Sequence, residues 1–155
     1  MPDASNESHC DWLVPERLGR FIDKARERCA EWRTMIARAE ARRTLPEDET
    51  TLCWSRREYA LVTLHLVECG TLGGSVRSTQ LRRELLDAAI DSGGSFPIAC
   101  TPEATREHAE ACYPELGKVL AEKRRLDPEE KLCNDWYRHH RSLLGRETGA
   151  ARWNN

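Results

Sequence analysis

The sequence predicts an α+β fold in which helices cover one face of a small, mostly antiparallel sheet, and a helical segment closes the chain. Three observations lead to this prediction. Amphipathic runs with helix spacing alternate with a few short runs of strand character. The strand-like runs are too few for a self-contained doubly wound sheet. Proline-and-acid patterns typical of helix starts crowd the last third of the chain.

Length and composition fit one domain of 155 residues. The 24 basic and 26 acidic residues leave a net charge of −2, so no basic excess exists to bind phosphates, and nucleic acid is not expected as a partner. No apolar run approaches the roughly 20 residues of a membrane span, and the polar N-terminus lacks the core of a secretory signal. We therefore expect a cytoplasmic protein with no membrane partner, whose seven cysteines stay reduced.

The predicted domain organisation is simple. Residues 1–11 are small and polar, so we expect a loose tail there. A single α+β domain then covers residues 12–145, and residues 146–155 form a frayed tail. Pro15 opens the first helix, because proline suits a first helical turn. Its apolar stripe comprises Leu18, Phe21, Ile22, Ala25 and Cys29.

The next segment, residues 33–43, is ambiguous from its residues. Alanine, arginine and glutamate favour a helix, whereas the alternation of apolar and charged positions favours a strand with one wet face. We expect a strand, on this alternation and on the family resemblance described below. After a turn over residues 45–50, residues 51–57 are expected to form one or two helical turns.

The clearest strand covers residues 58–67, where β-branched and aromatic residues dominate. One face of this strand is wholly apolar and comprises Ala60, Val62, Leu64 and Leu66. The other face comprises Tyr59, Leu61, Thr63, His65 and Val67. Because the second face carries the polar groups, we expect a ligand or partner to meet it.

The second half of the chain is predicted to be mainly helical. A long helix with the stripe Val76, Leu81, Leu85, Leu86, Ala89 and Ile90 should end at Gly93-Gly94. Residues 95–100 are expected to form a short edge strand, since Pro97 cannot donate to a ladder. Further helix starts are expected at Thr101-Pro102-Glu103, Pro114, Asp127-Pro128-Glu129 and Asn134-Asp135.

The residues give no sign of a catalytic or metal site. The cysteines include no C-x2-C pair, and the tightest cluster is Cys133 with His139 and His140. No local signature supports a nucleophilic Cys/His pair. Neither a GxGxxG nor a Walker pattern occurs, so the chain shows no means of its own to hold a nucleotide pyrophosphate.

Four segments stand in the order used by one flavoenzyme family. They are EDETTLCWSRREYALVTLHL (47–66), LRRELLDAAIDSGGSF (81–96), ATREHAEACYPEL (104–116) and KRRLDPEEKLCNDWYRHH (123–140). The set resembles the C-terminal portion of FAD-linked oxidases of the vanillyl-alcohol-oxidase type, in particular aldonolactone and alditol oxidases. The resemblance runs from about Asp11 to Gly145. It implies the later part of the cap domain, which covers the isoalloxazine ring and shapes the substrate pocket.

The resemblance also implies roles for particular residues. In that family the strand after Gly-Gly leads to a lysine, histidine or tyrosine that reaches the flavin or substrate, so Cys100 and Thr101 stand at cofactor-binding positions. Tyr59, Thr63 and His65 would face the substrate. A thiol and a hydroxyl cannot supply the positive charge that stabilises a reduced flavin. FAD would therefore be held only by a separate FAD-binding domain, and the chain alone would bind none.

Three hypotheses follow. The leading one is a cap-domain fragment or split subunit of an FAD-linked oxidoreductase acting on a sugar-type alcohol or lactone, inactive alone and working with a separate flavin-domain protein. The second is a non-catalytic interaction protein derived from such a cap, using the face with Tyr59, Thr63 and His65. The third is a decayed remnant without a selected function.

Overall fold

A computed structural model describes residues 5–15 and 18–145. Within these ranges the chain forms three strands and five helices. In chain order they are β1 (Ser5–Val14), α1 (Leu18–Glu31), β2 (Met35–Thr44), β3 (Tyr59–Cys69), α2 (Leu72–Asp91), α3 (Arg106–Cys112), α4 (Leu116–Leu126) and α5 (Asp135–Leu144).

The three strands form one antiparallel sheet in the order β1-β3-β2. On the central strand, Val62 lies opposite Trp12 of β1 and Ala41 of β2. A bulge interrupts β2 between Ile36 and Arg38, and the pairing is regular from there to its end. The alternation in residues 33–43 therefore correctly predicted a strand, because side chains two residues apart share a sheet face.

Helices α1 and α2 pack against each other and against the sheet. They cover the face that carries Val62, Leu64 and Leu66, all of which are fully buried. Apolar residues from α3, α4 and α5 extend the same core. The predicted fold class is confirmed: the fold is α+β, with a small antiparallel sheet covered by helices on one face and a helical C-terminal segment.

The prediction of a loose tail over residues 1–11 is wrong for residues 5–11, which belong to β1. Most residues of this segment are polar, but its side chains alternate between the two faces of the sheet, and those of Cys10 and Trp12 point towards the helices. The hydroxyl of Ser8 in the same strand donates to the Glu68 carboxylate at 2.5 Å, so this polar residue is satisfied at the rim of the core. Residues 1–4 and the predicted tail over 146–155 lie outside the described residues.

Two short predicted elements are absent from their expected places. Residues 51–57 form turns rather than a helix, because the Glu47 carboxylate accepts from the backbone and hydroxyl of Thr50 and holds a turn. Of residues 95–100, Ser95 alone pairs with a strand, in an isolated bridge to Leu13. The Pro97 carbonyl then accepts from the backbone N–H of Cys100, which closes a turn.

Two of the predicted helix starts are wrong, and the residues concerned serve other purposes. The carboxylate of Glu103 pairs with Arg82, and that of Asp127 accepts from the backbone N–H groups of Lys131 and Leu132. Thr105 caps α3 instead, through a capping box with His108.

The other predicted helices are confirmed as helices, but Val76, which was expected in the buried stripe of α2, is 64% exposed. The long helix α2 ends just before Gly93-Gly94, and α4 begins two residues after Pro114. The Asn134 side chain caps α5 by accepting from the backbone N–H of Tyr137 at 2.8 Å. Among the described residues, no helix is long and apolar enough to cross a membrane.

Candidate functional site

The face of the sheet opposite the helices is the candidate site, and we call it the open face. Strand β3 contributes Leu61, Thr63, His65 and Val67 to it, and all four remain partly exposed. Their sequence neighbours on the covered face are buried, so side chains along β3 are alternately buried and partly exposed to solvent. The predicted substrate-facing residues Thr63 and His65 therefore lie on an accessible surface.

Side chains of the two outer strands join His65 in a charged network. The Arg38 guanidinium donates to His65 Nε2 at 2.9 Å, and its Nη2 lies 3.0 Å from Glu40 Oε1. Because a guanidinium can only donate, this arrangement places the lone pair of His65 on Nε2 and its proton on Nδ1. A hydrogen bond from Arg42, together with the charge of Arg38, holds the pKa of the Glu40 carboxyl below its usual value.

On the other side of β3, the network continues into β1. The hydroxyl of Thr63 donates to Asp11 Oδ1 at 2.5 Å, and the ring of His9 lies 6.1 Å from that of His65. The open face thus presents carboxylate acceptors, guanidinium donors and imidazole rings, with the apolar side chains of Leu61 and Val67 at either end of this polar group. Such a mixture suits a ligand with several hydroxyl groups or a polar protein surface.

Cys100 and Thr101 lie beside the outer edge of β1. They line a narrow cleft of about 190 Å³ together with Asp11, Cys10 and Arg82. Because Asp11 also accepts from Thr63, the predicted cofactor-binding and substrate-facing residues meet around β1. Sequence patterns had not linked these two sets.

The side chains in this cleft do not fit a group that stabilises a reduced flavin. The Arg82 guanidinium is the cation of the cleft, and it already pairs with two carboxylates, those of Glu68 and Glu103. The Thr101 hydroxyl donates to the Pro97 carbonyl at 3.0 Å and so closes the local turn. Arg82 is therefore neutralised by its own carboxylates, and no unpaired positive charge remains for an anionic ring.

The largely buried thiol of the cleft, that of Cys10, is also a poor nucleophile or ligand. Burial raises the pKa of the Cys10 thiol to about 12, so it stays protonated at neutral pH. Within the described part of the chain, no three histidine, cysteine, aspartate or glutamate side chains form a group that could hold a metal ion.

Tyr59 is set apart from the other two predicted substrate-facing residues. It lies at the end of the sheet, is only 7% exposed, and has the Arg57 guanidinium carbon 5.4 Å from its ring centroid. Its backbone N–H donates to the hydroxyl of Thr44 on the neighbouring strand. These contacts give Tyr59 a packing role at this end of β3.

No protein-family model and no curated protein matches this chain. Asp11, Arg38 and Glu40 are the open-face residues that sequence reasoning missed. The charged positions of residues 33–43 signalled a wet strand face, but the strand register that brings them beside His65 is a long-range feature.

Proposed function

We propose that this chain is the cap, or substrate-domain, portion of an FAD-linked oxidoreductase acting on a sugar-type alcohol or lactone. It works as a fragment or split subunit in the cytoplasm, where thiols stay reduced; six of its cysteines, namely Cys10, Cys29, Cys53, Cys100, Cys112 and Cys133, are free. The observation that supports this proposal is the open face, an antiparallel sheet surface on which Thr63 and His65 stay partly exposed, while Leu13 at one end of the face is fully buried.

The role proposed for the open face is to cover a flavin and orient a substrate held by another domain. The partly exposed Leu61 and Val67 offer apolar area for docking. Asp11 can accept from substrate hydroxyls, and Arg38 can donate to them. No hydride step is assigned to this chain, because the cleft at Cys100 and Thr101 lacks an available positive charge.

The first test is whether the chain alone holds the cofactor. Purified protein incubated with excess FAD and passed through a gel-filtration column should elute colourless, because the cleft at Cys100 and Thr101 offers no unpaired cation to the flavin and the sequence contains no phosphate-binding loop. Flavin eluting in a one-to-one ratio with the chain would overturn the proposal that a separate domain holds the FAD.

The second test is whether the open face recruits a flavin domain. A tagged chain expressed in its source organism should co-purify a yellow, FAD-containing protein. The variant Thr63→Arg should lose that protein, because a long charged side chain blocks the face while Asp11 remains able to pair with it. The matched variant Thr51→Arg, an exposed position in a turn, should retain it.

The cleft favours a second function, because the positive charge of Arg82 is already neutralised by Glu68 and Glu103. If the open face no longer meets a flavin, it can serve as the docking surface of a non-catalytic interaction protein. The same capture experiment separates the two. The interaction module would be supported, instead of the split enzyme, if the captured partners lack flavin. These partners should be lost from the Thr63→Arg variant and retained by the Thr51→Arg variant.

A further inference from the structure

Strand β2 forms one edge of the sheet and is uncovered along most of its length. It pairs with β3 on one side, and no described strand lies on the other. Ala37, Ala39 and Ala41 are exposed, although Ala39 and Ala41 point to the same side of the sheet as the helices. A long and unpaired edge is a template for another strand.

The regular half of β2 carries an alternating charge pattern. From Arg38 to Thr44 its pairing with β3 runs without interruption, whereas residue 37 belongs to the bulge. On the open-face side stand Arg38, Glu40 and Arg42, and in-strand ion pairs at 3.0 Å join Glu40 to each arginine. Charged edge residues usually discourage pairing, but signs that alternate can complement a second copy of themselves.

We propose that β2 pairs antiparallel with β2 of a second copy of this chain, centred on Ala41, to give a continuous six-stranded sheet across a twofold axis. In this register Glu40 lies opposite the partner's Arg42, and the partner's Glu40 lies opposite Arg42. Ala41 lies opposite its own copy, where two methyl groups leave the backbones free to approach.

Registers centred on Glu40 or Ala39 are less favourable than the register centred on Ala41. Centring the pair on Glu40 sets Glu40 opposite its own copy and Arg38 opposite the partner's Arg42, so every charged pair on the open-face side repels. Centring it on Ala39 draws residue 37 and the bulge into the ladder, where the pleat is broken. The Ala41 register keeps the seven residues from Arg38 to Thr44 in regular pairing. It leaves the open face free, and so goes beyond the proposed cap function without depending on it.

Charge reversal tests the register. In sedimentation equilibrium, the wild-type chain should show a reversible dimer whose dissociation constant rises with salt. Glu40→Arg and Arg42→Glu should each raise that constant by about tenfold or more, because both cross-strand pairs become repulsive. The double variant Glu40→Arg/Arg42→Glu should restore the dimer. A wild-type chain that stays monomeric, or a folded double variant that does not dimerise, overturns the proposal.

A crosslink gives a second measurement that does not depend on charge. In a chain with the exposed Cys100 replaced by serine, Ala41→Cys should form a dimer-linking disulfide on treatment with diamide, which accepts the two electrons and two protons. Ala39→Cys, at another exposed alanine of the same strand, should crosslink far less. Preferential crosslinking at position 39 would contradict the proposed register.

Discussion

The two faces of β3 differ in what lies against them more than in their composition. Val62, Leu64 and Leu66 point at the helices and are fully buried. Leu61 and Val67 lie on the other side of the same strand and stay partly exposed. The stability of the domain therefore comes from the covered face, and the open face is free to carry polar groups that a core would exclude.

Polar contacts on the open face are solvated and therefore weak. Arg38 and Glu40 form an exposed network that contributes little to stability, because water and salt screen such pairs. The open face can consequently change its chemistry without unfolding the sheet. Substitutions on the two faces should separate into effects on stability and effects on binding.

The largest expected effect comes from truncating the same residue type on each face. Leu64→Ala should lower the free energy of unfolding by about 2–5 kcal/mol, because it leaves a cavity under the helices. Leu61→Ala, on the open face of the same strand, should cost about 1 kcal/mol or less. Urea unfolding followed by circular dichroism measures both. Equal losses would mean that the open face is packed as tightly as the covered one.

A smaller effect is expected where the covered face closes against the end of α2. A Cβ added at Gly94 would overlap the Leu13 carbonyl oxygen and lie 2.6 Å from that of Ala89. Gly94→Ala should therefore cost about 1–3 kcal/mol, since neither backbone can move away freely. Gly73, near the start of the same helix, has open space around it, so Gly73→Ala should be neutral or stabilising. Thermal unfolding of the two variants provides the comparison.

Periodicity predicted the covered face well. The stripe of α2 and the alternation in residues 33–43 and 58–67 are local signals, and the structure confirms each as a helix or strand. Strand β1 was missed because its covered positions include Ser8 and Cys10, which do not look like a core stripe. Ser8 is satisfied by Glu68, a partner sixty residues away that no local pattern reveals.

The open face could be predicted only in part for the same reason. Thr63 and His65 were found because they interrupt an apolar strand. Their neighbours Asp11 and Arg38 come from other strands, and strand register decides which of them meet. The helix starts show the same limit, since Glu103 pairs with Arg82 and no longer opens a helix.

The smallest expected effect is on the pH dependence of stability and concerns His140. Its imidazole is buried, whereas His9 and His65 on the open face are exposed or partly exposed. His140 of α5 is 2% exposed, and its Nδ1 donates to the Trp136 carbonyl at 2.9 Å. Burial lowers the pKa of His140, with a further contribution from the charge of His139. A second proton would have to sit on Nε2, which is buried and has no acceptor among the described groups.

The folded state therefore binds this proton less readily than the unfolded state, and the sign of the pH dependence follows. Stability should be complete above the unfolded histidine pKa of about 6.5 and should fall as pH drops from there through the lowered folded value. His140→Gln should flatten this fall, whereas Leu64→Ala, which keeps the imidazole, should preserve the slope at lower overall stability. Carboxylates whose pKa is lowered, such as Asp127, lose their contribution to stability only near pH 4 and below. They therefore do not account for a fall in stability that begins at the unfolded histidine pKa. A slope unchanged in His140→Gln would show that another group controls the response to acid.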